Sequence, residues 1–106
     1  MASWFLVLSK TIDRVARLAA SSEHQAWQRG RHEAGEVVIS GPSVDRKMGI
    51  YLLRCESREE AETIAGSDPH HVQGNSTYEL IEWEVHQMMG EGSFSSEEFL
   101  SNRPDA

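Results

Sequence analysis

The chain has 106 residues, of which 39% are hydrophobic and 25% charged, and a formal net charge of −7. That length suits one domain with a limited core, and the composition is that of a folded chain, not a disordered one. Its ten Lys and Arg residues form no stripe, so no nucleic acid is expected as a partner. No apolar run approaches the roughly 20 residues of a membrane helix, so no membrane partner is expected. The start, MASWFLVLSKTIDR, has no basic leading region, and the chain reads as cytoplasmic.

Ser3 to Ser9 is a short β-rich apolar run and reads as the first strand. In Thr11 to Ala20, Ile12, Val15, Ala16 and Ala19 have helical spacing, which fits a short helix or a structured loop. The next stretch, SSEHQAWQRGRHEAG, predicts a helix capped by Ser21 or Ser22 and ended at Gly35. Glu36 to Ser40 predicts the second strand, stopped by Gly41-Pro42, and Met48 to Cys55 the third. Ser57 followed three residues later by Glu60 is a capping-box pattern, opening a helix that ends at Gly66. SDPHHVQGNS reads as a loop, and Thr77 to Val85 alternates as the fourth strand.

The order β-α-β-β-α-β is the ferredoxin-like split arrangement: an α+β fold with a four-stranded antiparallel sheet and both helices on one face. The other face, partly apolar, calls for a second copy, so a homodimer joined through its sheets is expected. Residues 1–90 form the predicted domain and 91–106 a tail, in which Ser95 to Asn102 suits one helical turn docking Phe94, Phe99 and Leu100. Trp4, Trp27 and Trp83 read as core or interface aromatics.

Two side chains carry the chemistry. His24 falls in the first turn of its helix, and Asp68 is confined to extended backbone by the following Pro69. In this fold both segments reach the same end of the sheet. A carboxylate on one imidazole nitrogen sets the tautomer and frees the other nitrogen to move protons. From spacing alone, a surface histidine and a turn-forming aspartate are the more ordinary reading. Ser40 and Gly41 leave backbone groups beside a pocket mouth and are candidate binding residues, with His70. The five histidines show no metal-ligand spacing, so no metal is predicted and exposed loop histidines are expected. Cys55, the single cysteine, has no CxxC partner and reads as a packed or half-exposed thiol.

The ordered stretches SWFLVLS, SSEHQAWQRGRHEAGEVVISGP, GIYLLRCESREEAETIAGSDPHHVQG and TYELIEWEV resemble the YciI-like (YCII-related) family of the dimeric α/β-barrel superfamily. The resemblance covers Ser3 to His86. It implies that His24 and Asp68 are the active-site pair. It also implies a dimer resembling muconolactone isomerase, and kinship with a dehydrochlorinase acting on a chlorinated hydroxyhydroquinone. Many members carry an aromatic residue after Asp-Pro, where this chain has His70. The function expected is a cofactor-free lyase or isomerase acting on a small cyclic or carbonyl-containing substrate. The alternatives are a non-catalytic ligand-binding or interaction module and, third, a haem-handling or quinone monooxygenase; no residue here marks a haem ligand over an ordinary histidine.

Overall fold

Four strands alternate between a helix-covered face and an open one. The computed structural model describes residues 3–88 and 91–92. Strand β1 (Ser3–Thr11) is central; β3 (Met48–Cys55) pairs with it on one side and β4 (Ser76–Trp83) on the other, both antiparallel. Strand β2 (Val37–Pro42) adds to β3 as an edge strand, giving the order β2-β3-β1-β4. An edge position tolerates Pro42, whose missing N–H costs no ladder bond when it faces outward. The result is the α+β ferredoxin-like arrangement expected of the element order.

Alternation sorts the side chains. Phe5 and Val7 from β1, with Tyr51 and Leu53 from β3, are buried on the helix side. They pack with Ala61 and Ile64 of α3 (Arg58–Gly66). On the opposite face, Ile39, Leu52, Leu6 and Ile81 stand in register across all four strands. Ile39 is 66% and Ile81 40% exposed there.

Helix α1 (Arg14–Ala19) is capped by Asp13, whose carboxylate accepts from the Ala16 N–H at 3.1 Å. Its helical spacing does not mark a buried stripe: Ile12 before it, and Val15 and Leu18 within it, are exposed. Six residues present too little surface to reach the sheet while α2 (Ser21–Glu33) occupies it. Ser21 does not cap α2. The cap position is Ala20, and the Ser21 hydroxyl turns back to the Arg17 carbonyl at 3.3 Å. Gly35 takes a φ of 77°, a left-handed conformation that glycine adopts without penalty just past a helix end.

The expected loop after α3 holds a further turn of helix, α4 (Pro69–Val72), capped by Asp68. Proline at the first helical position needs no N–H partner, so Asp68-Pro69 starts a helix here instead of only turning the chain. Gln87–Met88 and Glu91–Gly92 form a separate two-stranded pairing, β5 and β6. The turn expected at 95–102 lies outside the described residues. No helix among the described residues is long and apolar enough to cross a membrane.

Candidate active site

Asp68 lies at the bottom of the site, fully buried, with each carboxylate oxygen engaged. Its Oδ1 lies 2.8 Å from His24 Nδ1 and accepts from the His70 N–H at 3.0 Å. Its Oδ2 accepts from the Tyr51 hydroxyl at 3.3 Å. Burial works to raise the Asp68 carboxyl, but the bond and charge of His24, with the His70 amide, outweigh it and hold the pKa below the usual carboxylate value. An ionised carboxylate only accepts, so the short contact requires a proton on His24 Nδ1. The Nε2 of the neutral ring then carries the lone pair.

The sequence pattern explains how these groups meet. The α4 cap fixes the Asp68 backbone, and α2 brings His24 across from the other half of the fold. Tyr51 shares a face of β3 with the buried Leu53 and Cys55, and a buried phenol needs an acceptor. Its own pKa is pushed up by burial and by Asp68, so it stays a hydroxyl donor. Trp27, one turn along α2 from His24, packs edge-on to Tyr51 and donates from Nε1 to Ser67 Oγ at 2.9 Å.

His70 and His71 are not exposed loop histidines. The His70 ring is 2% exposed and stacks on His24 with centroids 4.4 Å apart. Burial, then the charges of His24 and Arg17, lower its pKa to about 4, so it is neutral near pH 7. His71 Nδ1 donates to the Ala65 carbonyl at 2.6 Å. Its Nε2 therefore accepts, from the Ser9 hydroxyl at 2.7 Å. The short α4 folds both rings inward. His32 is exposed, its Nε2 2.8 Å from the Ser40 hydroxyl. Cys55 is buried, as expected, and its thiol donates to the Ser57 carbonyl at 3.5 Å.

His24 and His70 lie on the wall of a cavity of about 580 Å³ between α2 and the β2–β3 edge of the sheet. Ser40 and Gly41 line it too. So do Arg17, Gln28 and Tyr51, which sequence reasoning did not single out. Gln28 was legible in part, since it follows His24 by four residues and so shares its helix face. Arg17 had no such signal, because its place depends on hydroxyls of two distant strands, Ser9 and Ser76. A second cavity, of about 680 Å³, shares Arg17, Ser21, Pro42 and His70 with the first.

No curated protein matches the chain. Among solved structures, the chain is similar to 5-chloro-2-hydroxyhydroquinone dehydrochlorinase from Burkholderia phenoliruptrix AC1100, in complex with 2,5-dihydroxybenzoquinone. The TM-score is 0.67 at 17% identity, over 76% of this chain and 93% of that one, a likeness of fold. The YCII-related domain family matches residues 3–84, most of the described chain, and the protein belongs to that family.

Proposed function

We propose that this protein is a small enzyme of lyase or isomerase type, in which His24 is the general acid/base and Asp68 orients it. The supporting observation is the 2.8 Å contact between His24 Nδ1 and Asp68 Oδ1 at the wall of a cavity that His24 lines. With Nδ1–H held by the carboxylate, Nε2 is the basic atom. It removes a proton from a carbon beside a substrate carbonyl, and the electron pair of that C–H bond becomes a new double bond. In an elimination a leaving group departs with its own bonding pair. In an isomerisation the proton on Nε2 returns to a different carbon. Asp68 stabilises the imidazolium formed in between, while neutral His70 stacked beside it adds no opposing charge. These residues supply the proton transfer themselves, and the reaction written here needs no cofactor.

The substrate would be compact and cyclic or carbonyl-containing, a size that suits the cavity. The similar solved protein is named a dehydrochlorinase, and loss of hydrogen chloride is likewise an elimination. Ser40, Gly41 and His70 are the proposed binding residues. The apolar row on the open face of the sheet supports a homodimer packed sheet to sheet.

The pair is testable without a known substrate. Asp68→Asn keeps the shape of the site and removes its charge. The His24 Nδ1–H, which bonds the Asp68 carboxylate at 2.8 Å, should lose its downfield proton NMR resonance in the variant, because a charge-assisted hydrogen bond becomes a neutral one. Identical imidazole N–H spectra in the two proteins would reduce Asp68 to a helix cap and leave a ligand-binding module as the better reading.

A further inference from the structure

Two arginines, Arg17 and Arg29, line the first cavity, and among the described residues Arg17 makes no ion pair with a carboxylate. Its Nη1 donates to the hydroxyls of Ser9 on β1, at 3.2 Å, and Ser76 on β4, at 2.5 Å. Ser76 in turn donates to Asn75 Oδ1 at 2.9 Å, and Ser9 to His71, so both hydroxyls are oriented. Among the described residues no acidic oxygen lies within ion-pair distance of the guanidinium. The charge that acts most strongly on it is that of Asp68, whose oxygens are already taken by His24, Tyr51 and the His70 amide. Arg17 is half-buried and lines both cavities. A guanidinium partly removed from water and satisfied only by neutral hydroxyls favours an anion beside it.

A second observation points to a ligand in the same place. Gln28 is 9% exposed and lines the first cavity, yet neither its Nε2 nor its Oε1 has a hydrogen-bond partner among the described residues. An amide buried with both ends unpaired is costly unless something that enters the cavity pairs with it. Beyond Arg17, the second cavity is lined by Arg14, Arg46 and Lys47 against one acid, Asp45, on a chain whose net charge is −7. Such a local reversal of sign steers anions toward the opening.

We infer that the ligand of this site is a small organic anion, whose negatively charged oxygen pairs with Arg17 and whose neutral hydroxyl or carbonyl pairs with Gln28. The inference rests on the acid/base reading for the cavity it uses, but not on the His24–Asp68 contact. It narrows the substrate class to carboxylates or acidic enols, whose carbonyl carbons lie beside the hydrogens that a base at His24 would remove.

Gly49 gives a way to move the cation without removing it. A Cβ at this position would lie 2.8 Å from Arg17 Nη2. With Nη1 held by two hydroxyls, the guanidinium must give up its position to make room.

The test measures dissociation constants by calorimetry at neutral pH for three probes. These are 4-hydroxybenzoate, its neutral isostere 4-hydroxybenzamide, and cyclohexane-1,3-dione, which is an enolate at that pH. In wild type at least one anion should bind about tenfold more tightly than the amide, from one charge-assisted contact. The carboxylate and enolate arms show which kind of oxyanion is preferred. Arg17→Gln should abolish the preference, and Gly49→Ala should reduce it with the charge retained. A folding defect alone would weaken all probes together and leave the ratio unchanged. Equal binding of amide and anions overturns the inference, as does a preference that survives in Arg17→Gln, or failure of both anions to bind at millimolar concentration. An unchanged charge preference beside an unaltered His24 N–H resonance in Asp68→Asn would instead count against the acid/base reading alone.

Discussion

The His70 ring separates stability from chemistry most clearly at the scale of one residue. It is buried, its Nδ1 has no partner among the described residues, and its pKa is lowered from 6.5 to about 4. Between these values the unfolded chain binds a proton that the folded chain refuses, so stability rises with pH in this window. The contribution is complete above about pH 6.5 and is lost as the pH falls toward about 4. The loss is on the order of 2–3 kcal/mol. Asp68, held below its usual pKa, acts in the same direction at lower pH, because its protonation also weakens the fold. His70→Phe keeps a stacking ring and removes both the titration and the orphaned nitrogen. It should raise stability at pH 7 by about 1 kcal/mol and flatten the acid limb. Urea melts of both proteins at pH 7 and pH 5 would show this; equal slopes with pH in the two would mean that His70 is not the group responsible.

At the scale of an element, α3 determines where Asp68 stands. Ser57 Oγ accepts from the Glu60 N–H at 3.1 Å, and the Glu60 carboxylate reaches back to the Glu56 N–H at 2.9 Å. The capping box read from the sequence therefore closes one residue earlier than its usual reciprocal bond. The other end of the helix passes through Ser67 directly into the Asp68 cap of α4. Ser57→Ala should cost about 1 kcal/mol. Because Ala61, Ile64 and Ala65 still anchor the helix in the core, the loss should appear as a lower melting temperature with the site intact. A melt combined with the His24 Nδ1–H resonance tests both halves, and a displaced resonance would show that the cap also positions the carboxylate.

At the scale of the whole molecule, the sheet leaves apolar side chains exposed on the face opposite its helices. The row Ile39, Leu52, Leu6 and Ile81 crosses it, and Trp83, paired with Trp4, is 49% exposed beside that row. Sedimentation at micromolar concentration should give twice the mass of the 11.9 kDa chain. Ile81→Asp, which places a charge in the centre of the proposed contact, should shift the equilibrium to monomer, since an unpaired buried charge costs several kcal/mol. A wild-type chain that remains monomeric over that range would remove the dimer from the proposal.

Local patterns carried the order of elements. A β-rich apolar run marked β1, period-two alternation marked β4, Ser57 and Gly66 bounded α3, and Gly35 closed α2, because each depends on neighbours within a few residues. His24 and Asp68 were legible as chemical types, and their family resemblance named them as a pair, but no local signal measures a separation across 44 residues of chain. The burial of His70 and His71 was not legible, because it follows from Pro69 starting a helix against the core and not continuing a loop. Nor was the placement of Arg17, whose position is set by Ser9 and Ser76 on two different strands. The sequence by itself determined the four strands, the helices α2 and α3 and which residues have proton-transfer chemistry. The packing of α2, α3 and α4 against one face of the sheet, with α1 beside α2, decided which of those residues meet, because burial and hydrogen-bond partners belong to the folded surface and not to the chain.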